Sequence, residues 1–104
     1  MATNYQRGAA FERQVKKELE AMGLLVVRSA GSKGPVDLIA VNEAGGVLLI
    51  QCKVSSKANE RKLKATKREL KKLADKYNAS AWLALKYPGE SGFDFDWLQQ
   101  PREG

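Results

Sequence analysis

Three polar side chains interrupt segments that are otherwise apolar, and their types and spacing suit metal-dependent chemistry. Asp37 lies near the start of the run Val-Asp-Leu-Ile-Ala-Val, and Gln51 and Lys53 stand two residues apart at the end of a second apolar run. Because side chains two residues apart in a strand project from the same face, Gln51 and Lys53 are predicted to be neighbours. A hairpin turn centred on residue 44 would place Asp37 opposite Gln51.

Glu12 is a fourth polar residue in an apolar setting, because it falls on the apolar stripe of a predicted helix. A buried carboxylate is costly unless it is paired, hydrogen-bonded or directed at a metal. If that helix packs on the face that carries Gln51 and Lys53, Glu12 reaches the same point. Two carboxylates, an amide oxygen and an ammonium group would form an oxygen-donor site for Mg²⁺ that suits phosphodiester hydrolysis.

Each of these residues, taken singly, also fits a role without chemistry. Glu12 fits an ion-paired acid at the edge of the core, and Asp37 fits an acid that closes the preceding Gly-Pro loop. Gln51 and Lys53 fit the solvated end of a strand. The metal site is therefore a hypothesis about the four residues together.

Composition narrows the chemistry further. The chain has 104 residues, one cysteine and no histidine, which excludes an internal disulfide, a Cys/His zinc cluster and histidine as a catalytic base. The single cysteine, Cys52, alternates with Gln51 and Lys53 and is predicted to point into the core. No apolar run approaches the roughly 20 residues of a membrane span, and the first residues lack the apolar stretch of a secretory signal. We therefore expect a cytoplasmic protein.

The charge indicates an anionic partner. Lysine and arginine outnumber acids by eighteen to twelve, a formal net charge of +6. Much of the excess lies in a predicted second helix, whose cations include Lys67, Arg68 and Lys71, and phosphate contacts from it would be sequence-independent. A solvated surface helix is the alternative. The last residues are acidic and aromatic, a composition that would support dimerisation or limit non-specific DNA binding.

Periodicity and turn residues predict the elements that position these side chains. The predicted helices span residues 5–22 and 59–77, and the predicted strands span 24–29, 36–41, 46–54, 81–87 and, as a short edge strand, 93–97. The order α-β-β-β-α-β(-β) indicates a single α/β domain over residues 1–104, with a mixed sheet flanked by helices.

Several of these segments together resemble a known family. They are Gly8-Ala-Ala-Phe-Glu-Arg13, the loop Arg28-Ser-Ala-Gly-Ser-Lys-Gly34, the strand with Asp37, and Gln51-Cys-Lys53. The chain resembles the archaeal-type Holliday-junction resolvases, the Hjc group of the PD-(D/E)xK nuclease superfamily, over residues 5–86. The resemblance implies a restriction-endonuclease-like fold and a homodimeric, Mg²⁺-dependent endonuclease that nicks opposing strands of a four-way DNA junction. Mn²⁺ is expected to substitute.

The resemblance also implies roles for individual residues. Asp37, Gln51 and Glu12 would bind the metal together with the carbonyl oxygen of Cys52, and Lys53 would be the catalytic lysine. The residues implied in phosphate contacts are Arg13, Arg28, Ser32 and Lys33. The resemblance implies no small-molecule cofactor and no membrane partner. The site of action would be the cytoplasm, or the host cytoplasm if a phage encodes the chain.

Gln51 departs from the family pattern, which usually has an acid at this position. Three explanations are open: a natural QxK variant, an engineered change from glutamate, and a junction-binding protein that does not cleave. Two other functions also remain open, a superfamily nuclease acting on other branched or duplex DNA, and a basic DNA-binding module without chemistry.

Overall fold

The computed structural model describes residues 4–29, 34–54 and 60–100. Every predicted element is present within these ranges, with ends that differ from the prediction by at most two residues. The elements are α1 (Asn4–Ala21), β1 (Leu25–Arg28), β2 (Leu38–Val41), β3 (Val47–Val54), α2 (Glu60–Lys76), β4 (Ser80–Lys86) and β5 (Asp94–Gln99).

The strands form one mixed sheet in the order β1-β2-β3-β4-β5. Neighbouring strands are antiparallel except for β3 and β4, which are parallel and are connected through α2. This arrangement confirms the predicted α/β fold. None of the helices among the described residues is long and apolar enough to cross a membrane.

The β2–β3 hairpin has the predicted register. Leu38 pairs with Ile50 and Val41 with Val47, so one further step places Asp37 opposite Gln51. The turn is closed by the backbone bond from Asn42 N to Gly46 O and by Asn42 Oδ1, which accepts from Gly46 N over 2.8 Å. A β-hairpin ladder fixes which side chains share a face, so this turn sets the position of both polar residues.

The core has two parts, one on each face of the sheet. On one face, α1 contributes Phe11, Val15 and Leu19, which pack against strand residues such as Ile50. On the other face, Leu70 and Ala74 of α2 pack against Leu49, Ala79 and Ala81. Both helices therefore bury a 3.6-residue stripe, as the periodicity predicts.

The apolar stripes in the sequences of the two helices run on to Met22 and Tyr77, which predicts burial, but both side chains are exposed. Met22 follows the last residue of α1, where Gly23 adopts a φ of +90° and turns the chain away, so its side chain projects into solvent. Tyr77 likewise follows α2 and is exposed. Each helix ends one residue before these positions, so the buried stripes, whose last fully buried residues are Leu19 and Ala74, stop short of them.

The apolar run from Leu24 to Val27 predicts a largely buried first strand, but the sheet is incompletely covered there. Only Val26 of β1 is buried, whereas Leu25 and Val27 are 67% and 54% exposed. Their face of the sheet is the one on which α2 packs, but α2 contacts β3, β4 and β5. An apolar surface over β1 and β2 therefore faces solvent.

Candidate active site

A cleft at the end of β3 brings four predicted site residues together. Glu12, Asp37, Gln51 and Lys53 all line it, and its volume is about 520 Å³. The other lining residues are Gly8, Phe11, Cys52, Val54 and Pro88. The cleft therefore joins the first half of α1 to the open end of the β2–β3 hairpin.

Asp37 is fixed at the open end of the hairpin by both its backbone and its side chain. Its backbone N donates to Ile50 O over 2.9 Å, and Oδ2 accepts from Cys52 N over 2.9 Å. The side chain therefore extends the ladder by one bond where the regular pairing of β2 ends. A carboxylate held in this way is preorganised, because its orientation does not depend on a ligand.

Gln51 contains an unsatisfied acceptor. Its Nε2 donates to Cys52 O over 3.4 Å, while its buried Oε1 accepts no hydrogen bond from the described residues. Buried polar atoms are almost always partnered, and exceptions commonly mark functional sites or positions where an ion or a water molecule binds. In a cleft that also holds two acids, this oxygen is suited to accept from a water or to bind a cation.

Glu12 is paired with Arg28, the last residue of β1. Arg28 Nε donates to Glu12 Oε1 over 3.3 Å, and the Glu12 side chain is 18% exposed. The residue lies at the edge of the buried stripe of α1, not at its centre, since Phe11 and Val15 occupy the centre. The ion pair is the partner that a core-edge glutamate requires.

The approach of α1 differs from the expected one. The metal-site hypothesis is conditional on the helix packing on the face that carries Gln51 and Lys53. The helix packs on the opposite face, where Ile50 and Cys52 point, while Leu49 and the residues that alternate with it face α2. Glu12 therefore reaches the cleft from the other side of the sheet edge.

Cys52 lies between Gln51 and Lys53 in β3, and its thiol is unreactive. Its side chain packs against the α1 core, as predicted. Burial raises the pKa of the thiol well above its usual range, and the negative charges of Asp37 and Glu12 raise it further. The thiol therefore stays protonated at neutral pH, and the contribution of Cys52 to the cleft is its backbone N and O.

The donor set fits a hard divalent cation. No group of three His, Cys, Asp or Glu side chains in the described part of the chain is arranged to hold a metal. The cleft nevertheless offers two carboxylates, the orphan Gln51 Oε1 and the Cys52 carbonyl oxygen. Mg²⁺ is commonly bound by one or two carboxylates, with water and substrate phosphates as its other ligands.

The predicted phosphate-binding residues are two arginines near the cleft, two residues of the segment after β1, and the cations of α2. Arg13 is exposed on α1 and Arg28 is engaged with Glu12, whereas Ser32 and Lys33 lie outside the described residues. The cations of α2 flank a surface groove of about 500 Å³. The groove is lined by Lys64, Lys67, Arg68, Lys71, Lys72 and Leu98.

One contact in this groove was not foreseen from the sequence. Lys67 Nζ lies 2.8 Å from Asp96 Oδ2 on β5, so an acid of the C-terminal segment neutralises one cation of α2. The alternation of aromatic and acidic residues from Phe93 to Trp97 predicted the strand but not its partner. Only the pairing of β5 with β4 brings Asp96 to α2.

Comparisons with known proteins point to one family. The model of the archaeal Holliday junction resolvase family (Hjc) matches residues 3–103. A curated protein of Methanocaldococcus jannaschii, crossover junction endodeoxyribonuclease Hjc, is 43% identical over 96 residues, which cover 89% of this chain and 68% of that protein. A solved structure of Hjc from Archaeoglobus fulgidus, a Holliday junction resolvase, superimposes with a TM-score of 0.65 at 28% identity. That match covers 89% of this chain and 74% of the other.

Proposed function

The chain belongs to the archaeal Holliday junction resolvase (Hjc) family, and we propose that it resolves four-way DNA junctions by metal-dependent phosphodiester hydrolysis in the cleft described above. The observation that carries this proposal is the meeting of Glu12, Asp37, Gln51 and Lys53 in one cleft, with a buried Gln51 oxygen that lacks a partner. A DNA-binding module without chemistry has no need for this combination. A DNA substrate also favours the cytoplasm as the place of action.

The cleft would hold Mg²⁺, or Mn²⁺ in its place, through Asp37, Glu12, Gln51 Oε1 and the Cys52 carbonyl oxygen. When bound, such an ion lowers the pKa of water and neutralises charge that develops on the phosphate. The Asp37 carboxylate is held in place by the Cys52 amide, so little side-chain ordering accompanies binding. Arg28 offsets the charge of Glu12, which limits repulsion between the two acids before a cation arrives.

Lys53 supplies the positive charge of the reaction. It lines the cleft two residues after Gln51 and makes no ion pair with the described residues. In hydrolysis, the water oxygen gives up a proton to solvent and forms a bond to phosphorus, the bond to the leaving sugar oxygen breaks, and that oxygen gains negative charge and then takes up a proton. The Lys53 ammonium is placed to orient the water or to stabilise the leaving oxygen.

The α2 groove extends the DNA-binding surface. Arg68 and Lys71 are exposed there, and their contacts with phosphates would hold DNA arms without reading sequence. Lys67 shares its charge with Asp96, so we assign it a weaker part in DNA binding than its neighbours. Preference for a junction over duplex would then depend on the placement of two active sites, not on base contacts.

Two cuts in opposing strands require two active sites. Among the described residues, each copy of the chain has one cleft that combines two acids with a lysine, so two copies are needed. The surface that fits a second copy is the uncovered apolar face of β1, β2 and the first residue of β3. Its members are Leu25 (67% exposed), Val27 (54%), Ile39 (37%), Val47 (38%) and the half-buried Val41. Soluble monomers seldom leave contiguous aliphatic side chains exposed in this way, and two-fold pairing would bury the same face on both copies.

The dimer can be tested with a charge placed on this face. Val27→Glu is expected to yield a monomer by sedimentation or light scattering, because the interface would bury an unpaired carboxylate. Met22→Glu is the matched control, since Met22 is 53% exposed and lies after α1. Circular dichroism verifies that both variants are folded. If Val27→Glu has the same mass as the wild type, the interface lies elsewhere.

The function itself is tested by cleavage of a labelled four-way junction in competition with linear duplex of the same length. We expect paired, symmetric nicks that require Mg²⁺ or Mn²⁺, and junction binding that an excess of duplex does not displace. Equal cleavage of duplex or flap DNA would favour a superfamily nuclease with a different substrate. Tight binding to the junction without cutting would favour a binding protein.

A further inference from the structure

A second cavity adjoins the cleft. It has a volume of about 510 Å³ and shares Phe11, Val54 and Pro88 with the cleft as lining residues. Gln14 of α1 and Lys86, the last residue of β4, also line it. The two cavities therefore lie side by side at the same edge of the sheet, and the role of the second is not explained by the proposed metal site.

Lys86 is held in this cavity by neutral groups. Its Nζ donates to Gln14 Oε1 over 3.3 Å and lies 5.8 Å from the centroid of the Phe11 ring. Gln14 is itself anchored, because its Nε2 donates to Ser91 O over 3.2 Å. Surface lysines ordinarily lose considerable side-chain entropy when they bind a ligand, so this chain of contacts preorganises the ammonium group.

The charge of Lys86 is not neutralised by an ion pair. Arg28 and Lys67 each pair with an acid, whereas Lys86 pairs with none among the residues that the structure describes. The acid that lines the same cavity, Glu90, is exposed, where solvent screens its charge. A half-buried cation fixed by an amide and a ring therefore retains its attraction for an anion.

Strand pairing fixes Lys86 relative to the candidate catalytic lysine. Lys86 pairs with Val54, the residue after Lys53, in the parallel β3–β4 ladder. Adjacent strands are about 4.8 Å apart and successive residues about 3.3 Å apart, so the two lysine Cα atoms are separated by about 6 Å. Side-chain alternation places Lys53 and Lys86 on opposite faces of the sheet, at the C-terminal ends of β3 and β4. A DNA strand that crosses the ends of these two strands would contact both lysines.

We propose that the cavity formed by Phe11, Gln14, Lys86 and Tyr87 is a subsite for the nucleotide next to the scissile phosphate, and that Lys86 contacts the phosphate of that nucleotide. The proposal rests on the proposed nuclease function and adds a substrate contact to it. The cavity volume lies within the range of about 300 to 1,000 Å³ that is usual for small-ligand sites. Lys86 is a binding residue whose effect is to align the DNA strand over Asp37 and Lys53.

The test combines Lys86→Met with chemically modified junctions. The wild-type chain first maps the cut, and single phosphates on either side of it are then replaced by neutral methylphosphonates. Methionine keeps an unbranched stem against Phe11 and removes the charge, and Lys86→Gln is a second neutral variant. Lys17→Met removes a charge from the exposed surface of α1 and is the matched control. Dissociation constants are measured without divalent metal.

We expect Lys86→Met to raise the dissociation constant about tenfold and to lower the slope of log affinity against log salt by about one, with smaller changes for Lys17→Met. At one position, the methylphosphonate should weaken junction binding by the wild type but should not weaken binding by Lys86→Met any further. Lys86→Arg, which keeps the charge, should retain most of the affinity. The proposal is overturned if Lys86→Met and Lys86→Gln bind like Lys17→Met and lose affinity at every modified phosphate as the wild type does. A wild-type chain that neither prefers nor cuts the junction would contradict the proposed function instead.

Discussion

Asp37→Asn is expected to reduce junction cleavage by about 100- to 1,000-fold, the usual loss when a preorganised electrostatic group is removed from an active site. The substitution is nearly isosteric, and an asparagine oxygen can still accept from Cys52 N, so the end of the β2–β3 hairpin should keep its geometry. What is lost is the negative charge, on which binding of a divalent cation depends. Single-turnover cleavage rates with saturating enzyme measure this effect directly.

Binding distinguishes loss of chemistry from loss of structure in this variant. Junction affinity should be unchanged or slightly higher, because one negative charge near the DNA backbone has been removed. Asp96→Asn is the matched control: it makes the same change on β5, where it releases Lys67, and it should bind DNA more tightly while cutting at a similar rate. A fully active Asp37→Asn variant would show that the cleft is not the catalytic centre.

Gln51→Glu is the second substitution with a large expected effect. It restores the acid that the family usually has at this position, and a carboxylate is a stronger Mg²⁺ ligand than an amide oxygen. We expect the Mg²⁺ concentration for half-maximal cleavage to fall by about tenfold, equivalent to about 1.4 kcal/mol of binding free energy. Titration of the cleavage rate with Mg²⁺ measures this shift.

The same substitution should destabilise the metal-free protein. The buried Gln51 Oε1 has no donor among the described residues, and a charge there would lie close to Asp37. An unsatisfied buried group costs about 1–3 kcal/mol or more when charged, so the melting temperature should fall without metal and recover when Mg²⁺ is added. Gln99→Glu on β5 is the control and should show neither effect. Equal Mg²⁺ requirements for Gln51→Glu and the wild type would argue that position 51 does not contact the metal.

Cleavage by the wild type and cleavage by the Gln51→Glu variant, taken together, decide between the three explanations of Gln51. A wild-type chain that cuts junctions with Mg²⁺ would make Gln51 a working residue of a natural variant. A wild-type chain that binds without cutting, together with an active Gln51→Glu variant, would identify glutamine as a disabling substitution. If neither cuts, the chain is a junction-binding member of its family.

Much of the architecture follows from local patterns in the sequence. The helical spacing of Val15 and Leu19 in α1, and of Leu70 and Leu73 in α2, identifies the helices, because one stripe of each packs on the sheet. The turn from Asn42 to Gly46 fixes the hairpin register, and the register places Asp37 opposite Gln51. These features are predictable since they depend on residues close together in the chain.

The face on which α1 packs could not be predicted in the same way. Alternation shows that Gln51 and Cys52 point to opposite faces, but it does not say which helix covers which face. The metal-site hypothesis has Glu12 approach over Gln51 and Lys53, whereas α1 lies on the side of Cys52 and Glu12 reaches the cleft from that side. The crossover through α2 and the burial of both stripes decide this choice together.

The sequence by itself determined the elements, the mixed sheet and the four polar residues of the cleft, because periodicity and turn chemistry act over a few residues. Only the tertiary structure decided which charges meet: Arg28 with Glu12, Lys67 with Asp96, and Lys86 with Gln14 rather than with an acid. The last two contacts join segments far apart in sequence, and all three depend on how helices and strands pack. A single sequence specifies that packing only through the free energy of the whole fold.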